Sequence, residues 1–293
     1  MRCFKIGLKN IIKNLPGIKQ YNEKFSSLYT RLDNMENMLK SMEKRQIQAY
    51  MDIMQKDNGK GYVYDRIRSI TDRLRVFDAP VSYIRTGRDY DGGYVMADCF
   101  SDCTVAYSLG ICDDVSWDKD MAERNIDVYM YDHTIDGLPE QDTRFHFFKT
   151  GLAGEDSGNL KTLGTIIREN DHENNKNMIL KMDIEGWEWE VINQTDCISQ
   201  FSQIAVELHG LCDFDNKNII PALDKLNETH IPVHIHANNC SPVMFFGGLV
   251  LPDALEVTYL RKTDFEFSEN TRSFPTELDM VNDPSKPEII LDF

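Results

Sequence analysis

Between residues 105 and 260 short apolar runs alternate with helical stretches, and this alternation restricts the fold more than any other feature of the chain. Strands are read at Val105–Leu109, Val128–Tyr131, Phe145–Phe148, Met178–Met182, Ile204–Leu208, Val233–Ala237 and Val257–Leu260. Helices are read between them at Trp117–Arg124, Leu160–Glu169, Trp187–Asn193 and Ile219–Glu228. These strands are mainly apolar, each carrying at most two polar residues, as expected of strands covered on both faces. The pattern predicts an α/β fold: a Rossmann-like, mostly parallel, doubly wound sheet.

The rest of the chain reads as flanking pieces. Residues 1–20 are basic and amphipathic, with Phe4, Leu8, Ile11, Ile12, Leu15 and Ile18 at helical spacing among Arg2, Lys5, Lys9, Lys13 and Lys19. Such a segment suits either an anionic membrane surface or packing against its own protein. Over residues 21–57 the apolar positions fall in 3,4 alternation through Phe25, Leu28, Leu32, Met35, Leu39 and Met42. So narrow a stripe calls for a partner helix, and a homo-oligomer through a coiled coil is expected. A connecting helix is read over 62–78, through Val63, Ile67, Ile70, Leu74 and Phe77. The sheet domain then occupies 80–262, and 263–293 forms an acidic strap over it or a mobile end.

Charge narrows the partners. Thirty-two basic against 48 acidic residues give −16, which argues against a protein that wraps nucleic acid. Seven cysteines without a C-x-x-C pair give no zinc or disulfide framework. With no apolar run long enough for a span or a secretory core, the sequence reads as cytoplasmic, with a peripheral contact at the inner membrane surface through the basic segment.

In a doubly wound sheet, ligands bind beyond the carboxyl ends of the strands. The first strand runs into Ser108-Leu109-Gly110-Ile111-Cys112-Asp113-Asp114, a turn with one glycine and two acids. Those acids would repel a pyrophosphate, which weighs against a nucleotide-binding oxidoreductase, and would suit a ligand carrying an amino group and a cationic centre. Asp132 ends the next strand 22 residues after Gly110, where a carboxylate meets ribose hydroxyls. Asp183, Glu207, His209, His234, His236 and Asn238 all stand at strand ends, and strand alternation lets Asp183, Glu207, His209 and His236 converge. Such a set suits a general base, His209 or His236, beside carboxylates, or a divalent ion, Mg²⁺ or Mn²⁺, on Asp183, Glu207 and His209. Glu188 and Glu190 read as charges favouring a helix start. Trp117, Trp187 and Trp189 read as core residues before sugar- or adenine-stacking ones.

The segment Leu180-Lys181-Met182-Asp183-Ile184-Glu185-Gly186-Trp187-Glu188-Trp189-Glu190-Val191 resembles the L-K-x-D-x-E-G-x-E-x-x-V signature of FkbM-type S-adenosylmethionine (SAM)-dependent methyltransferases. SLGICDDVSWD at 108–118 is similar to the first SAM motif of a subgroup of that family, with Cys112 where commoner methyltransferases have a second glycine. Gly92-Gly93-Tyr94 also looks like a family segment. The resemblance spans about Arg85 to Lys262. It implies SAM held by Ser108, Gly110 and Asp113 at its methionine end, by Asp132 at the ribose, and by Leu152, Ala153 and Gly154 at the adenine. It further implies an O-methyltransferase for a carbohydrate acceptor of the surface-glycan or nucleotide-sugar type. Asp183, His209 and His236 are then the candidate catalytic residues, and Tyr94, Glu185 and Asn238 candidate acceptor contacts. A coiled-coil scaffold whose SAM-like domain has lost its reaction is the non-enzymatic alternative.

Overall fold

The computed structural model describes residues 61–291 and 293. The basic segment at 1–20 and the heptad seam at 21–57 lie outside the described residues. The chain divides into two units between Val63 and Tyr64, and the second carries the sheet.

In chain order the elements are α1 (Tyr62–Thr71), β1 (Phe77–Asp78), β2 (Tyr83–Thr86), β3 (Tyr94–Ala97), β4 (Val105–Leu109), α2 (Ser116–Glu123), β5 (Asp127–Tyr131), β6 (Phe145–Phe148), β7 (Gly151–Leu152), β8 (Leu160–Lys161), α3 (Leu163–Glu169), β9 (Met178–Met182) and α4 (Glu188–Gln194). A 3₁₀ turn at Ile198–Gln200 leads into β10 (Phe201–Leu208), α5 (Ile219–Thr229), β11 (His230–Ala237), β12 (Val243–Phe246), β13 (Leu249–Pro252), β14 (Leu255–Arg261) and β15 (Ser268–Glu269). Seven strands form the central sheet in the order β11-β14-β10-β9-β4-β5-β6. β14 runs antiparallel to both its neighbours and the remaining pairs are parallel. The carboxyl ends of β4, β5, β9, β10 and β11 therefore share one edge.

The interior strands β4 and β9 are buried at every residue. On one face Ala106, Val128, Met130, Ile179 and Ala205 pack with Trp117 and Met121 of α2 and with Tyr94 and Met96 of β3. Each such fully buried side chain contributes about 1.5–3 kcal/mol. Gln203 of β10 fastens the β2–β3 hairpin to this face, its side chain accepting from Ala97 N (2.7 Å) and donating to Ala97 O (3.2 Å). On the opposite face Tyr107, Tyr129 and Tyr131 stack, and Asn170 at the end of α3 donates to the Tyr107 and Tyr131 hydroxyls.

Two expected boundaries shift. The connecting helix ends at Thr71 rather than 78: Leu74 is still buried, but Phe77 has left the helix for a strand pairing with Ser268–Glu269. Leu160 and Lys161, read as the start of a helix, instead pair with Gly151–Leu152, and Thr162 caps α3 by accepting from Thr165 N. Among the described residues after 262, Phe274, Asn282 and Leu291 are buried.

Candidate active site

Register sets up the site before any side chain is considered. His236 lies opposite Glu256, and Glu256 opposite Glu207. Glu207 follows the Val206–Met182 pair, which puts it beside Asp183. Directly paired residues point to one face, so a row of titratable groups crosses four strands toward the carboxyl edge. The row ends at Gly110, one step beyond the paired Leu109 and Met182. There φ is +81°, and a β-carbon would sit 1.7 Å from the Asp183 carbonyl oxygen, so only glycine permits this approach of the two chain segments.

The loop after β9 is built by its own sequence. Glu185 has φ +55° and Gly186 φ +99°, a reversal that leaves amides pointing inward. Glu188 collects them: its carboxylate accepts from Ile184 N (2.9 Å) and Gly186 N (3.0 Å) while fully buried. Its role is therefore larger than the expected helix-start charge, because a carboxylate at this depth is tolerated only when its bonds are filled. The same Glu188 holds His209 through Nδ1 at 3.2 Å.

Held this way, His209 turns Nε2 toward Glu207 (3.6 Å), Glu185 (3.8 Å) and Asp183 (4.0 Å). Burial works against the imidazolium, but the bond and charge of Glu188, with Glu207 and Asp183 beside it, prevail and raise the His209 pKa. Burial pushes Glu207 the other way for an acid, upward, helped by the charges of Asp183 and Glu256. Asn238 donates to Glu207 Oε1 at 2.7 Å. One donor set of three, Asp183, Glu185 and His209, has its ligand atoms within 4.8 Å of one another. This set contains Glu185 and not Glu207, which is nearly sealed, engaged by Asn238 and raised in pKa by its burial.

His236 does not join this group. Its Nδ1 meets Glu256 at 3.1 Å and its Nε2 faces Glu288 of the strap at 3.4 Å, and it is 2% exposed. The alternation that placed it on the correct face says nothing of the two strands between it and Asp183, nor of a strap closing over it. Tyr94, expected to meet an acceptor, is buried and donates to Asp183 Oδ2 at 3.3 Å.

Asp132 ends β5 as expected, and both its oxygens are engaged. Oδ2 accepts from Ile111 N and Cys112 N (2.9 Å each), and Oδ1 from Thr134 N (2.7 Å) and Oγ1 (2.6 Å). Burial opposes its charge, and these bonds outweigh it, lowering the pKa. The turn it organises leaves Cys112 and Asp113 exposed at the edge, with Ser108 buried behind. Leu152 and Ala153 are buried, and Gly154 packs so close to Glu190 that a β-carbon would lie 2.7 Å from its Cγ. Among the tryptophans, Trp117 and Trp189 are core residues, while Trp187 is 51% exposed four residues after Asp183.

Sequence reasoning passed over Lys181 and Asp118. Lys181 donates to Gly110 O at 2.6 Å and lies over the Tyr94 ring, tying β9 to the glycine turn. Burial raises the Asp118 pKa to about 6 against the opposing charge of Lys181. Both sit inside the quoted motifs, so a charged residue at an interior strand or helix position was the available signal.

The sheet order, the glycine turn after β4 and the acid at the end of β5 make a Rossmann-like α/β domain, with acidic groups gathered at its carboxyl edge. Residues 102–236 match the family model of the methyltransferase FkbM domain, which supports a methyltransferase and implies SAM as its cofactor. No curated protein matches the chain. Among the described residues no helix is long and apolar enough to cross a membrane.

Proposed function

We propose that this chain transfers a methyl group from SAM to a hydroxyl of a carbohydrate, with Asp183 as the group that takes the hydroxyl proton. The observation that carries the reading is the position of Asp183: at the sheet's carboxyl edge, against the Gly110 turn, oriented by Tyr94 and with His209 Nε2 4.0 Å away. The raised pKa of His209 leaves it an imidazolium near neutral pH, suited to stabilising charge rather than to accepting a proton. Exposed Trp187 beside the loop offers a face for a sugar ring, and exposed Asp113 suits the cationic end of SAM. Asp132 would receive the ribose by sharing oxygens that already hold the turn, and Leu152–Gly154 would border the adenine.

In-line displacement at a sulfonium needs alignment and exclusion of water more than covalent help. Asp183, Glu185 and His209, the last giving up its Nε2 proton to the ion, would hold a Mg²⁺ or Mn²⁺ ion, which when bound lowers the pKa of an acceptor hydroxyl. The carboxylates fit a hard ion, and His209 Nδ1 is already oriented by Glu188, as ligating histidines commonly are. Self-association through the 21–57 seam and a membrane contact through 1–20 complete the proposal and rest on sequence pattern alone.

The test is calorimetric titration with SAM and S-adenosylhomocysteine, followed by transfer of labelled methyl to a panel of glycosides with and without EDTA. Micromolar binding and label on a sugar hydroxyl are expected, with activity falling at least about tenfold in EDTA. A folded protein that binds neither compound would sink the proposal, and EDTA-insensitive transfer would remove the ion.

A further inference from the structure

Five non-glycine residues among those described have a left-handed backbone: Tyr90 (φ +64°), Cys112 (+50°), Asn125 (+66°), Asp171 (+59°) and Glu185 (+55°). Two of them are ordinary. Asn125 and Asp171 each stand just past the C-cap of a helix, α2 and α3, and Asn and Asp accept this conformation. The other three are a tyrosine, a cysteine and a glutamate, which do not favour it, and all three are exposed. Cys112 and Glu185 lie in the loops after β4 and β9, at the carboxyl edge of the sheet. Tyr90 lies in the loop between β2 and β3.

Hydrogen bonds bring that loop to the same edge. Gly87 N donates to Asp120 and Arg88 N to Ser116 Oγ (2.7 Å each), both near the start of α2 just beyond the glycine turn, and Arg88 Nε lies 3.3 Å from Asp114. Asp91 accepts from Asn282 at 3.1 Å, and Asn282 also donates to Glu256 of the acidic row. The loop runs into Tyr94, whose hydroxyl donates to Asp183. Burial first, then the charges of Asp183, Glu207, Glu256 and Asp91, keep the proton on that hydroxyl. Asp91, one residue from Tyr90, thus acts on the same hydroxyl as Asp183. In sheet order Asp132, proposed for the ribose, follows β5 on one side of β4, whereas Asp183 and Glu256 belong to β9 and β14 on the other. The loop serves the second side.

The loop is braced from within. Arg85 donates to Tyr90 O at 2.6 Å and to Arg88 O at 3.2 Å, and Arg88 Nε donates to Asp91 O at 2.6 Å, so three carbonyls around the strained residue are held. The Tyr90 ring is 45% exposed and buries too little to explain the conformation it occupies. Strain of this kind persists where the surroundings over-determine it, and it gathers at ligand sites. Resting on the reading of a methyltransferase with a sugar acceptor, we propose that Tyr90 is a specificity residue for that acceptor. Its ring is the wall against which the sugar ring lies when a hydroxyl reaches Asp183.

The experiment measures transfer of labelled methyl from SAM to the methyl glycosides of glucose, galactose, mannose, fucose and rhamnose. It compares the full chain with its Tyr90→Asn and Tyr90→Phe variants, and records S-adenosylhomocysteine binding and the thermal midpoint of each. Asparagine accepts the left-handed backbone, so Tyr90→Asn removes the ring without adding strain and its midpoint should hold or rise. On each glycoside that the unaltered chain methylates, Tyr90→Asn should raise KM at least about tenfold, with kcat changed less than about threefold and S-adenosylhomocysteine binding within about twofold. Tyr90→Phe, which keeps the ring face, should return KM to within about threefold of the unaltered chain. An unchanged acceptor KM in Tyr90→Asn would overturn the proposal. So would an equal loss of S-adenosylhomocysteine binding, which would give the ring to the cofactor, or a midpoint lower by more than about 4 °C, which would make it a packing residue. If the unaltered chain binds S-adenosylhomocysteine but labels none of the five glycosides, the sugar reading fails and this proposal with it. If it binds no S-adenosylhomocysteine, the methyltransferase reading fails first.

Discussion

His209 and His236 begin as equals: each belongs to a strand end at the same sheet edge, and each is held through Nδ1 by a glutamate, Glu188 at 3.2 Å and Glu256 at 3.1 Å. They diverge at Nε2. That of His209 faces three carboxylates, none within 3.5 Å, with a fifth of its side chain open to solvent. That of His236 lies 3.4 Å from Glu288 without a hydrogen bond and is closed in by the strap. Local sequence does not separate a part-exposed histidine from a sealed one here; a segment some fifty residues downstream does. The first keeps a fifth of its side chain in solvent, whereas the second lies under the tail.

The comparison breaks most sharply at the carboxylate each histidine accompanies. Asp183→Asn removes the proposed proton acceptor while preserving shape, so methyl transfer should fall about 10²–10⁴-fold with S-adenosylhomocysteine binding within about threefold. Glu256→Gln, the matching change beside His236, should leave the rate within about fivefold. An Asp183→Asn enzyme with ordinary turnover would remove Asp183 from the chemistry, and an equal loss in Glu256→Gln would extend the reactive centre along the whole row. The next effect is on folding. Glu188→Ala strands the Ile184 and Gly186 amides and frees His209, and should cost about 3–5 kcal/mol in urea denaturation, the range for breaking a buried charged pair. A loss under about 1 kcal/mol would mean that the loop after β9 holds itself.

How much of this was legible depended on how local the determinant was. β4 and β9 declared themselves through apolar runs broken only at Ser108 and Lys181, and the Asp183–Glu188 loop through the spacing E-G-x-E, which reflects Glu188 reaching back to the amides that Gly186 turns inward. Asp132 was placed by its distance from Gly110, but its part in shaping the turn was not, because backbone amides 20 and 21 residues away leave no mark in a residue pattern. Strand alternation gave the face of His236 and not its neighbour, since strand order is decided by packing: β14, late in sequence, inserts between β10 and β11. Asn282, which donates to both Glu256 and Asp91, had no signal at all. The Leu160 boundary failed because a two-residue pairing with Gly151–Leu152 overrode helix propensity.

The smallest effect separates the two histidines by pH. Burial disfavours the charged form of His236, but Glu256 and then Asp279 and Glu288 outweigh it and raise its pKa to about 9. A folded value above the unfolded one means that the ion pair stabilises fully below about pH 6.5 and is lost as pH rises toward 9. The pair is almost wholly buried, so a contribution on the order of 3 kcal/mol follows from the shift. The midpoint of thermal unfolding should therefore fall between pH 6.5 and 9, and His236→Gln should flatten that fall. Asp279, held low by His234 despite its burial, acts in the opposite window, stabilising above about pH 3.8 and losing its contribution only in acid. His209→Gln should flatten the alkaline fall less than His236→Gln, because solvent reaches His209 and screens its charges. An equal or larger flattening in His209→Gln would show that the open histidine, and not the strapped one, carries the alkaline loss of stability. The division between an open and a strapped histidine would then fail on the stability it is argued from.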